Sequence, residues 1–132
     1  MKYEIKIVPV AKPRMTKSDR WKKRPATTKY WNFKDELVKA CNEAGYAQGM
    51  TMYVTIGIQM PKSWKKSRRI EMLAKPHDQK PDWDNYAKSL CDCLLPDGDE
   101  KIHTGCVNKF WSEYPSITFY DTIEEWLANL AK

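Results

Sequence analysis

Eight prolines punctuate this chain of 132 residues. Each fixes φ and removes a backbone donor, so the regular elements must fit between them. Pro9 ends an N-terminal strand in which Tyr3, Ile5 and Ile7 alternate with Lys2, Glu4 and Lys6. Pro61 stops a second strand over 50–60, rich in β-branched and apolar residues such as Val54, Ile56 and Ile58. Pro81 marks a helix start, Pro96 ends that helix, and Pro115 separates two further strands, one with Val107, Phe110 and Trp111, the other with Ile117, Phe119 and Tyr120.

Between these stops the period changes to that of a helix. Phe33, Leu37, Ala40, Cys41 and Ala44 predict a helix over 29–47, with Gly45 and Gly49 at its end. Ala87, Leu90, Cys91 and Leu94 predict one apolar stripe on the helix after Pro81. Ile123, Trp126, Leu127 and Leu130 predict a closing helix over 122–131, capped by Thr122 above Glu124 and Glu125. Residues 62–74 are basic, with Trp64 and Ile70 as apolar anchors of a short helix. Residues 11–28 show no apolar period and read as a long loop, a length that is more often functional than structural. The expected fold is α+β, a small mixed sheet packed with helices, and residues 1–132 form one domain.

The net charge of +6 is unevenly placed. Lys12, Arg14, Lys17, Arg20, Lys22, Lys23, Arg24 and Lys29 face a single acid, Asp19, in one segment. A second holds Lys62, Lys65, Lys66, Arg68, Arg69, Lys75 and Lys80 against Glu71 and Asp78. Either segment alone is equally well explained as a solvated lysine-rich surface. Two of them suit a polyanion, because each neutralised phosphate releases counterions. No stretch approaches the roughly 20 apolar residues of a membrane span, and the N-terminus lacks the apolar run of a signal peptide. A cytoplasmic protein with no membrane partner is expected. Cys41, Cys91, Cys93 and Cys106 are then reduced thiols of core type, since Cys91-Asp92-Cys93 lacks zinc-site spacing.

The chemistry concentrates in Lys80-Pro-Asp82-Trp-Asp84-Asn85, with Lys88 beyond it and Asp97-Gly-Asp99-Glu100 downstream. On a continuous helix Asp82 and Asp84 would point about 200° apart. Pro81 argues instead that Asp82 is extended and that the helix begins near Asp84, so both carboxylates can converge at the helix entrance. One such Asp is ordinarily a cap. Two repel, and a hard cation such as Mg²⁺ resolves the repulsion. Lys88, four residues after Asp84, is either an ion pair or a charge beside a scissile phosphate. Asp97-Gly98 is ordinarily a turn, and the helix between the two clusters is roughly 16 Å long. Spacing alone leaves open whether they meet. His77 and His103 flank the clusters and could move a proton, although water activated by a metal already supplies a nucleophile.

The run Lys80-Pro-Asp-Trp-Asp-Asn-Tyr-Ala-Lys88 resembles the motif of the RusA family of Holliday junction resolvases, small endonucleases typical of phages and prophages. Asp92 matches an Asp common on the same helix. Asp99-Glu-Lys-Ile102 matches the family's downstream motif from its second Asp, with Gly98 in place of the first. More loosely, the N-terminal strand, the Lys12-Pro-Arg14 segment and Met60-Pro-Lys-Ser-Trp-Lys-Lys are similar to family members.

The resemblance implies that Asp82, Asp84 and Asp99 bind Mg²⁺, or Mn²⁺ in its place, and that Lys88 assists catalysis. It also implies that the fold brings the downstream loop to the helix entrance, and that a homodimer nicks a four-way junction symmetrically in DNA recombination and repair. A two-fold dimer matches the symmetry of such a junction. Lys12, Arg14, Lys17, Arg20, Lys22, Lys23 and Arg24, together with Lys65, Lys66, Arg68 and Arg69, are the DNA-binding candidates, reading phosphates and shape more than base edges. Trp21, Trp31 and Trp64 are candidates to stack on an unpaired base, against the commoner fate of an aromatic in the core or an interface. The alternative from another class is a non-catalytic protein binding branched nucleic acid, its acids serving as caps and ion pairs.

Overall fold

The computed structural model of the protein describes residues 1–13 and 25–130, the side chains of Ala26 and Asp99 excepted. The elements run β1 (Lys2–Ile5), α1 (Pro25–Ala44), β2 (Thr51–Gln59), α2 (Lys66–Met72), α3 (Trp83–Leu94), a 3₁₀ turn (Asp99–Lys101), β3 (Thr104–Ser112), β4 (Ser116–Tyr120) and α4 (Ile123–Leu130). The four strands form one mixed sheet in the order β1-β4-β2-β3. β4 is antiparallel to both β1 and β2, whereas β3 is parallel to β2. A parallel pair cannot be closed by a hairpin. The connection from β2 to β3 therefore carries α2 and α3, and with them the acidic motif.

Alternation decides which face of the sheet is covered. Met52, Val54 and Ile56 of β2, Ile117 and Phe119 of β4, and Ile5 of β1 are buried with Phe33, Leu37 and Cys41 of α1. Val54 sits in register with Phe119 on one side and Val107 on the other, at the centre of this core. α1 ends as its sequence demands. Gly45 has φ +82°, and the Tyr46 N–H donates to the Cys41 carbonyl at 2.9 Å, the closure of a glycine-terminated helix. Tyr46 then stacks on Phe119 with centroids 4.4 Å apart. The closing helix is capped as expected, with the Glu125 N–H donating to the Thr122 hydroxyl at 3.2 Å.

Three expectations change. α1 begins at Pro25, so residues 25–28 belong to the helix and Thr27 is buried. Proline suits a first helical turn because its φ is preset and its missing N–H would have no partner there. Ile70 is no anchor: it is 69% exposed, and α2 has no buried residue. Trp64 does pack, against Trp111 at 4.8 Å. On α3 the buried stripe is Tyr86, Ser89, Leu90 and Cys93, which leaves Ala87, Cys91 and Leu94 half-buried at its margin. Ser89 is admitted to this face because its hydroxyl donates to the Val10 carbonyl at 2.6 Å. None of the four cysteines forms a disulfide, and burial pushes the thiols of Cys41 and Cys93 up to about 11.

Candidate active site at the entrance of α3

The segment leading into α3 runs along the outer edge of β3. The Ala74 N–H donates to the Trp111 carbonyl at 2.9 Å, the Trp111 N–H to Lys75 at 3.0 Å, and the His77 N–H to Lys109 at 3.0 Å. Two side chains extend this strapping to the acidic motif. The Lys109 ammonium donates to the carbonyls of Gln79 at 2.7 Å and Pro81 at 2.9 Å. The Trp83 indole N–H donates to the Val107 carbonyl. The residues on either side of Asp82 are thereby fixed to β3. Neither Lys109 nor Trp83 was read from the sequence as part of the site. The only sequence signal for Trp83 is its place between the two aspartates.

Asp82 is the N-cap residue of α3, in an extended conformation at φ −64° and ψ 149°, as the preceding proline predicts; the Lys80–Pro81 peptide is cis. Its carbonyl accepts from the Asn85 N–H at 3.1 Å, yet its carboxylate makes no cap hydrogen bond. Asp84 follows in the first turn, and both side chains are exposed. They lie at the positive end of the helix dipole, which favours anions and anion ligands. The Lys88 ammonium lies 3.6 Å from the Asp84 carboxylate, in an exposed i,i+4 pair. Asp82, Asp84 and Lys88 thus share the first turns of one helix.

Asp99 lies in the 3₁₀ turn before β3, and its carboxylate falls outside the described side chains. The preceding Gly98 has φ +130°, a conformation that L side chains rarely adopt, so this turn favours glycine where the resembled motif has Asp. Among the described residues, no group of three His, Cys, Asp or Glu side chains forms a metal-holding cluster. The two carboxylates at the entrance of α3 still fit Mg²⁺, which takes one or two carboxylates and completes its shell with water and phosphate oxygens.

The chain leaving β1 lies against the same helix. The Lys12 N–H donates to the Asn85 carbonyl at 3.1 Å, and the Lys12 ammonium pairs with Asp92 at 2.6 Å. The Tyr30 hydroxyl donates to the same carboxylate at 3.3 Å. Arg14, Lys17, Arg20, Lys22, Lys23 and Arg24 lie outside the described residues. Lys65, Lys66 and Arg68 are exposed; Arg68 stacks over Trp64 at 4.2 Å, and Arg69 donates to the Pro61 carbonyl at 3.0 Å. His77 is buried against Trp111 at 4.5 Å, whereas His103 is exposed with Nδ1 2.9 Å from the Thr104 hydroxyl.

No helix among the described residues is long and apolar enough to cross a membrane. No curated protein matches the chain. The model of the family described as endodeoxyribonuclease RusA matches residues 4–119. That range holds β2, β3, most of β4, the acidic motif and the turn bearing Asp99, and the chain belongs to the RusA endodeoxyribonuclease family.

Proposed function

We propose that the chain is a Mg²⁺-dependent endodeoxyribonuclease that resolves Holliday junctions and related branched DNA. It acts as a homodimer, by paired symmetric nicks, in DNA recombination and repair in the cytoplasm. The observation that carries this reading is the carboxylate of Asp82. A side chain at an N-cap normally accepts from the amides of the first turn, worth about 0.5–2 kcal/mol to the helix. Asp82 holds the cap position without making that bond. A cap hydrogen bond therefore does not account for an acid at this position, whereas a ligand role does.

Asp82 and Asp84 would hold the ion, with Asp99 as the third ligand that the family motif implies. Bound there, Mg²⁺ neutralises phosphate charge and lowers the pKa of a water. The chain's own residues supply the remainder. Lys88 presents a positive charge beside the phosphate, its exposed pair with Asp84 being long and weak. The N-terminus of α3 attracts the same phosphate. Lys109 and Trp83 hold the backbone on which the carboxylates are mounted. Lys65, Lys66, Arg68 and Arg69 would contact phosphates of the junction arms, and a two-fold dimer would place equivalent sites on opposite strands.

The test is incubation of purified protein with labelled four-way junction and duplex DNA, in Mg²⁺ or EDTA. The expected result is metal-dependent paired nicks in the junction and none from Asp82→Asn, which still binds the junction as well or better. Wild-type cleavage rates from both Asp82→Asn and Asp84→Asn would remove the site. Salt-sensitive binding with no metal-dependent product would leave a non-catalytic binding protein. A rise in thermal stability with Mg²⁺ but without nicking would leave a metal-stabilised regulatory domain.

A further inference from the structure

A cavity of about 380 Å³ opens where α1 meets the C-terminal end of α3, at the small end of the size range of ligand sites. Trp31 and Lys34 line it from α1, Leu95, Pro96 and Gly98 from the end of α3 and the turn beyond, and Lys12 from the segment after β1. Neither Asp82 nor Asp84 takes part in it. Trp31 is 48% exposed, although Phe33 and Leu37 of the same helix are buried. An indole left half in water contributes little to the core. Its position is nonetheless defined: the Tyr30 ring lies 5.3 Å away, and the Lys34 ammonium sits 5.3 Å over the indole.

The charges of the cavity do not cancel. Asp92 lines it too, but its carboxylate is matched by Lys12 at 2.6 Å and accepts from Tyr30. Among the described residues Lys34 has no carboxylate partner, so it leaves the cavity with a net positive charge. An aromatic platform, an apolar wall and a cation together suit an unstacked nucleotide. The base takes the place of the Lys34 ammonium over the indole and is shielded from water, and the displaced ammonium meets the phosphate. An intact duplex offers no such base, whereas a branch point does.

We propose that this cavity receives one unstacked nucleotide of the branched substrate, an inference that rests on the branched-DNA reading above. Its position fits a strand that also reaches the acidic motif. The eight residues from Asp84 to Asp92 span roughly 12 Å of helix. A stacked strand, at about 3.4 Å per nucleotide, covers that distance in about three to four nucleotides.

The experiment uses full-length protein in EDTA and junctions that carry one abasic residue, stepped through the positions around the branch point. Binding by the wild type weakens about 5- to 100-fold at one position and is unchanged elsewhere. Trp31→Ala weakens binding to the intact junction by a similar factor and loses nothing more at the abasic position, whereas Trp31→Phe restores the sensitivity. Lys34→Gln lowers the salt slope of binding by about one. Wild-type binding indifferent to every abasic position overturns the proposal. So does a Trp31→Ala loss that adds in full to the abasic loss, and an unchanged slope in Lys34→Gln removes the phosphate contact. Cleavage of the same junctions in Mg²⁺ reports separately on the nuclease reading: cutting without abasic sensitivity removes the cavity's role alone.

Discussion

The ammonium of Lys109, on the edge strand β3, donates to the carbonyl of Pro81 at 2.9 Å. Through this contact the sheet grips the residue immediately before Asp82, and the same ammonium holds Gln79 at 2.7 Å. If the proposed site is the catalytic one, Lys109 is a positioning residue for it. Lys109→Met keeps the aliphatic stem and removes both bonds, at a cost in stability of about 1 kcal/mol. Because a displacement of about 1 Å at a reacting centre can cost as much as 100-fold, single-turnover cleavage should fall on the order of tenfold or more, with junction affinity little changed. An unaltered cleavage rate would show that the strapping serves the fold alone.

Lys88 separates a structural from a chemical role in the same way. As an exposed i,i+4 partner of Asp84 at 3.6 Å it contributes a few tenths of a kcal/mol to α3. As a charge beside the scissile phosphate it would stabilise the transition state by about 2–4 kcal/mol. Lys88→Met should thus leave the melting temperature nearly unchanged while cleavage drops roughly 100-fold or more. Differential scanning fluorimetry alongside a cleavage time course checks both halves. A variant that melts early yet cuts normally would assign Lys88 to the helix only.

The readable and unreadable parts of the sequence divide on physical grounds. Strict alternation at Tyr3, Ile5 and Ile7 could be read because one face of a strand admits only one burial pattern, and the second strand because Val54, Ile56 and Ile58 make it rich in β-branched and apolar residues. Asp82 could be placed in extended backbone because Pro81 disfavours helix in the residue before it and suits a helix start just after. Apolar residues cover more than one side of α3, so periodicity alone does not fix which stripe is buried. Contact with α1 and the Val10 segment selects Tyr86, Leu90 and Cys93 over Cys91 and Leu94. Lys109 could not be read at all. A lone cation in a strand has no local motif, and its partners are carbonyls 28 and 30 residues earlier.

Gly98 tests whether the turn before β3 matters to the site. Its φ of +130° is one that L side chains rarely adopt. Gly98→Ala should cost about 1 kcal/mol or more through backbone strain, and it should also shift the turn carrying Asp99. Cleavage at saturating Mg²⁺ then falls further than the stability loss explains, and the Mg²⁺ concentration needed for half-maximal rate rises. Gly45→Ala, at φ +82° where α1 ends, provides the control. It should lower stability comparably and leave the Mg²⁺ requirement where it was.

His77 makes stability depend on pH in a predictable direction. Burial, and then the positive charge of Lys109, lower its pKa below the ordinary 6.5, and Asp78 opposes them only in part. Its Nδ1 is buried without a hydrogen-bond partner among the described residues, beside the ring of Trp111. Below pH 6.5 the unfolded chain binds a proton that the folded chain resists, so the unfolded state carries more protons and stability rises with pH there. The contribution is fully present above pH 6.5 and is lost as the pH falls toward the depressed folded value. His77→Phe fills the same space and removes the titrating group. Its melting temperature should run parallel to that of the wild type from about pH 8 to 6.5, and should fall less steeply below it. Parallel curves down to about pH 5 would mean that the imidazole titrates alike in the folded and unfolded chain, and that its burial against Trp111 carries no electrostatic cost.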